Sequence, residues 1–137
     1  MPTNRALFFL VFAGVVAAQA ALSGCATVET ADGDRLRMTS AEYRAYVETV
    51  FRAQNRVASD LAFALEDAAP GESSELALAA AEARLLEECA SLNEIATRRR
   101  DDERTGLRRG VAAARAAPRC EAATRAAEGV LERAAAR

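Results

Sequence analysis

Lysine, histidine and tryptophan are all absent from this chain of 137 residues. Without histidine the commonest general acid–base group is missing. Without lysine no chemistry that needs a side-chain primary amine is open, and all 18 basic residues are arginines. Aromatic residues make up 5% of the chain, and three prolines and seven glycines are all that punctuate it. No glycine-rich phosphate loop occurs. The serines at 40, 59, 73, 74 and 91 have no base partner in the sequence to activate them. The acid pairs and triplets, Glu87-Glu88 and Asp101-Asp102-Glu103, read as a solvated face and a helix start rather than as cation ligands. Catalysis is therefore not expected, nor a metal or organic cofactor.

What the chain has in abundance is alanine, about a quarter of all residues, together with arginine, leucine and glutamate. These are strong helix formers, and the expected fold is all-α. The first 24 residues are of another kind. Met1 to Arg5 carries one positive charge, and "ALFFLVFAGVVAA" from Ala6 to Ala18 is unbroken apolar and small sequence. Small residues follow to Gly24. A charged start, an apolar middle and a small-residue end are the layout of an export signal. The alternative is a short membrane anchor, but the run is shorter than the ~20 residues that span a bilayer.

Leu22-Ser23-Gly24-Cys25 follows directly. An aliphatic residue, two small residues and a cysteine after an apolar leader resemble the lipobox of bacterial lipoproteins. The resemblance covers residues 1–25 only. It implies a diacylglycerol thioether on Cys25, cleavage between Gly24 and Cys25, and acylation of the new amino group. The competing reading is an ordinary signal followed by a fortuitous cysteine. Lipidation changes a soluble chain into an anchored one, and two or more acyl chains hold stably where one holds marginally. Ala26, which is not aspartate, implies by analogy with enteric lipoproteins the periplasmic face of the outer membrane, with the inner membrane as the alternative. The membrane is thus the first partner, and the covalent lipid is the only attached group expected.

Residues 25–39 include Asp32-Gly33-Asp34 and lack apolar periodicity, so they read as a lipid attachment and flexible tether. Residues 40–137 form the domain. Thr39 and Glu42 make an S/T-x-x-E capping box. Behind it Tyr43, Val47, Val50, Gln54, Val57, Leu61, Ala64 and Ala68 recur at alternating steps of four and three, the seam of packed helices. Tyr46, Phe51 and Leu65 widen it. Pro70-Gly71 stops this helix. Ser73 or Ser74 caps the next, whose stripe is Leu78, Leu85, Cys89, Leu92 and Ala96, flanked by Leu86 and Ile95. "RRRDDERTG", Arg98 to Gly106, suits the end of one helix and the start of another, with Gly106 easing the break; one unbroken helix is the alternative. A third stripe holds Leu107, Val111, Ala114, Cys120, Ala123, Ala127, Leu131 and Ala134, with Pro118 expected to kink or split it. The prediction is an up-down-up three-helix bundle, with helices over about 40–68, 73–100 and 106–135, each roughly 40 Å long.

Cys89 and Cys120 both fall on core stripes. Antiparallel helices bring residues i and j together when they are equidistant from the turn, and the midpoint of 89 and 120 lies inside the predicted turn. An exported domain favours the bond. The alternatives are two buried thiols or, in an unbroken helix, a separation of about 45 Å that forbids it. A bridge is predicted, worth roughly 3–4 kcal/mol by loop entropy.

Charge is uneven. Residues 70–97 are strongly acidic and residues 98–137 strongly basic. An acidic helix beside a basic one explains this. The sharper reading is an arginine surface of Arg98, Arg99, Arg100, Arg104, Arg108 and Arg109 that meets lipopolysaccharide, phospholipid or an acidic protein. Nucleic acid is not expected. The main expectation is a lipid-anchored helical scaffold for an envelope protein or for self-association. A resemblance to the helical murein lipoprotein stops at its covalent peptidoglycan link, which uses a lysine that this chain lacks.

Overall fold

A computed structural model describes residues 27–136. Two short strands, β1 (Thr27–Glu29) and β2 (Arg35–Arg37), precede three helices, α1 (Ala41–Asp67), α2 (Ser73–Arg100) and α3 (Leu107–Ala135). The helices pack against one another as the predicted all-α bundle.

Helix α1 buries Val50, Gln54, Val57 and Leu61, four residues of the expected seam, with Tyr46, Val47, Ala64 and Leu65 packed beside them. Its cap is Ser40 rather than Thr39: the Ser40 hydroxyl accepts from the Tyr43 N–H at 3.0 Å. The Ser40 N–H is itself bonded to the Arg37 carbonyl, so the end of β2 sets where the helix begins. Glu42 has a lowered pKa, first through its own backbone N–H and then through the Ser40 hydroxyl.

Helix α2 buries Leu78, Leu85, Cys89 and Leu92. Its N-cap is Glu72, not a serine, and Ser73 is already helical. The Glu75 carboxylate closes this end by accepting from the Gly71 N–H at 2.6 Å, with Gly71 in the left-handed region at φ 82°. Leu86 is 56% exposed, not a flank of the core. Its neighbour Leu85 takes the inward position, and successive helical residues point about 100° apart.

The chain does break after Arg100, so the unbroken helix is ruled out. Asp102, not Gly106, takes the left-handed conformation, at φ 55°; aspartate tolerates it better than most residues. Gly106 has an ordinary φ of −65° and is the N-cap of α3. Leu107 is a correction too. It is 84% exposed, because no residue of α3 before Ala113 is buried. From there the buried face is broader than the predicted stripe: Ala113, Ala114, Ala116, Ala117, Cys120, Ala123, Thr124 and Ala127. Pro118 lies inside α3 and does not split it.

Fully burying a leucine such as Leu61, Leu78 or Leu85 contributes about 1.5–3 kcal/mol, and an alanine methyl only about 0.8 kcal/mol. The alanine face of α3 lets α2 come close but stabilises little by area. Cys89 and Cys120 are bonded across it, with Cα atoms 4.6 Å apart. Between α1 and α2 the buried Gln54 donates from Nε2 to Asn93 Oδ1 at 2.8 Å. Such a lone polar pair fixes helix register. No buried side-chain nitrogen or oxygen lacks a hydrogen bond among the described residues.

Residues 27–37 are not a flexible tether. They form an antiparallel hairpin in which Val28 faces Leu36, and Thr27 faces Arg37. Gly33, at φ 89°, turns the loop, and Thr30 ties it by accepting from Gly33 N–H at 3.0 Å and donating its own N–H to Asp34 at 2.8 Å. Val28 is 6% exposed. The hairpin packs on α1 through β2 and on α3 through β1.

Candidate functional site

The sequence nominates three sites. Cys25, the expected lipid-attachment residue, lies outside the described residues. The disulfide pair Cys89 and Cys120 is present and buried. The arginine surface divides in two.

Arg98 is committed to the fold. Its guanidinium bonds Glu94 at 3.1 Å and Glu103 at 2.6 Å, and its side chain is 27% exposed. Arg109 reaches the same Glu94 at 3.3 Å, which links the start of α3 to the end of α2. Arg100 lies 3.4 Å from Asp101. Arg99, Arg104 and Arg108 are exposed and make no ion pair among the described residues. The Glu94/Arg98 spacing of four is visible in the sequence, but the remaining pairs depend on which acids the turn brings within reach.

A clasp that no sequence motif marks holds the hairpin on the bundle. Arg125 grips Asp32 with both terminal nitrogens at 2.8 Å and also bonds Glu121 at 2.5 Å. Glu121 in turn accepts from the Tyr46 hydroxyl at 2.8 Å and from the Ala31 N–H at 3.3 Å. Three elements thus meet at one carboxylate. Asp32 has a lowered pKa, mainly because Arg125 hydrogen-bonds it and then through that positive charge. The Tyr46 phenol is pushed up, first by burial and then by its bond to Glu121. The visible signals were Asp32-Gly33-Asp34 and the Glu121/Arg125 spacing of four, but nothing in the sequence pairs residues about 90 apart.

At the other end of the bundle an open groove of about 880 Å³ lies between the α1–α2 turn and the end of α3. Ala64, Leu78, Leu131 and Ala134 line it together with Asp60, Asp67, Glu72 and Glu132, and no arginine does. Among the described residues no group of cysteines and acids is placed to hold a metal ion. No described helix is long and apolar enough to cross a membrane. Comparison with protein-family models, curated proteins and solved structures finds no match to this chain.

Proposed function

We propose that this protein is a bacterial lipoprotein, cleaved before Cys25, lipidated there, and held on the periplasmic face of the outer membrane. Its helical bundle is a non-catalytic scaffold that presents a surface to another envelope component or to a second copy. The observation that carries this reading is Leu22-Ser23-Gly24-Cys25 directly behind an apolar leader. The buried disulfide supports it, since such bonds persist in oxidising compartments. So does the hairpin. It begins at Thr27, two residues beyond Cys25, so the lipid would hold a folded domain close to the bilayer rather than at the end of a tether.

Crosslinking and pull-down from intact membranes, comparing the wild type with Cys25→Ser, tests the scaffold role. The wild type retains its envelope partners and the variant loses them while keeping its helical circular dichroism. A Cys25→Ser chain that stays in the membrane fraction with the same partners overturns the reading.

The unpaired Arg99, Arg104 and Arg108 favour a second reading, a binding module for an anionic envelope component.

A further inference from the structure

The start of the folded chain and the arginine turn share one end of the bundle. Thr27 pairs with Arg37, and Ser40, three residues on, caps α1. Helices α1 and α2 are antiparallel neighbours of nearly equal length, so this cap lies beside the C-terminal end of α2. Arg99 is near enough to Tyr43 for its charge to oppose the upward push of burial on the phenol. The turn to α3 is at the same end.

Here Arg37, Arg99, Arg104 and Arg108 are exposed and in no ion pair among the described residues, and Glu42 and Asp102 are exposed acids in the same condition. Leu107, between Arg104 and Arg108, is 84% exposed. Helix stability does not explain Arg108. It stands in the first turn of α3, where the helix dipole disfavours a cation, and that turn has no acid and no side-chain cap. Uncapped N–H groups beside arginines suit phosphate oxygens. The charged residues that line the groove at the far end are all acids, with Arg133 the basic residue in the last turn of α3, so the two surfaces differ in charge along the length of the bundle.

We propose that this basic end docks on anionic phospholipid headgroups of the membrane that holds the lipid anchor. Arg99, Arg104 and Arg108 meet the phosphates and Leu107 enters the headgroup layer. The bundle then stands with its acidic groove away from the bilayer. The inference rests on Cys25 being the lipid-attachment residue. Two residues of chain span at most about 7 Å, so the anchor holds this end against the surface, and basic side chains near an anionic surface are attracted to it within a Debye length.

The chain has no tryptophan, so a single introduced one reports its own surroundings. The test uses the lipidated protein purified from bacterial membranes and reconstituted into vesicles. Leu107→Trp is expected to show blue-shifted emission, quenched by brominated acyl chains, in phosphatidylglycerol vesicles. In phosphatidylcholine vesicles its emission stays that of a water-exposed indole. Leu76→Trp, on the far half of α2 and 65% exposed, shows no shift in either. Adding Arg99→Glu, Arg104→Glu and Arg108→Glu, or high salt, removes the shift at 107 without loss of helical circular dichroism. Emission at 107 that is the same in both lipids, that survives charge reversal, or that shifts only when an envelope protein is added overturns the proposal. Flotation keeps the two readings apart. A lipid anchor carries the protein up with phosphatidylcholine vesicles whatever the arginines do, and failure to float there counts against the anchor itself.

Discussion

The two ends of the bundle are made from the same helix-forming residues but end in opposite charges. At one end the last turn of α2, the α2–α3 turn and the start of α3 carry Arg99, Arg104 and Arg108 in that order. At the other, Asp60, Asp67, Glu72 and Glu132 rim a groove with an apolar floor. Part of this is ordinary helix electrostatics: arginines close α2, and Glu75 lies in its first turn. The rest is not. Cations stand in the first turn of α3, and the last turn of α1 holds no basic residue. Charge separation therefore goes beyond what the helices need to fold, and it is there that a partner-binding surface has a physical rationale.

The contrast holds only while one core joins the two ends, so the strongest test attacks the staple. Replacing both Cys89 and Cys120 by alanine is expected to cost roughly 3–4 kcal/mol, read by chemical denaturation, with both ends losing hydrogen-exchange protection together. Protection lost at one end alone would show two independent units. Leu61→Ala, in the fully buried part of α1 toward the groove, is expected to cost about 3 kcal/mol. Its thermal midpoint should fall while the disulfide keeps α2 and α3 paired. Gln54→Ala orphans the Asn93 carbonyl across the α1–α2 contact, an expected loss of about 1–2 kcal/mol. Ser40→Ala touches only the hairpin end, at about 1 kcal/mol for a lost cap.

The smallest effect on global stability, and the most local, is expected from Asp32→Asn. It removes the carboxylate from the Arg125 clasp, so limited proteolysis should open the 27–37 hairpin while the helices stay folded. Acid should mimic it. The folded pKa of Asp32 is depressed, so its contribution is present above the ordinary carboxylate range and is lost as pH falls through the lowered value. A hairpin equally protected at neutral and strongly acid pH would show that Val28 and the strand packing hold it without the clasp.

Much of the bundle was legible in the residues. Val50, Gln54, Val57 and Leu61, and then Leu78, Leu85, Cys89 and Leu92, are buried as their spacing demands, because a helix repeats its inward face every three or four residues. The Cys89–Cys120 bond followed from the position of one turn. The hairpin was missed because strands of three residues have no period to count: Val28 and Leu36 are single apolar residues between polar ones. Leu107 fits the α3 stripe by spacing but stands in a first turn where nothing packs against it. The division of the arginines was out of reach for another reason. Glu94 lies four residues before Arg98, a pair that spacing does show, but Glu103 reaches Arg98 and Arg109 reaches Glu94 only because the turn folds back.

Everything proposed for placement turns on the chemistry of Cys25, and the mass of the N-terminal peptide of the protein taken from bacterial membranes reads it out. The expected peptide begins at Cys25 and carries a diacylglycerol thioether with an acylated amino group. A chain that retains residues 1–24, that begins elsewhere, or that has a free thiol at Cys25 would contradict it.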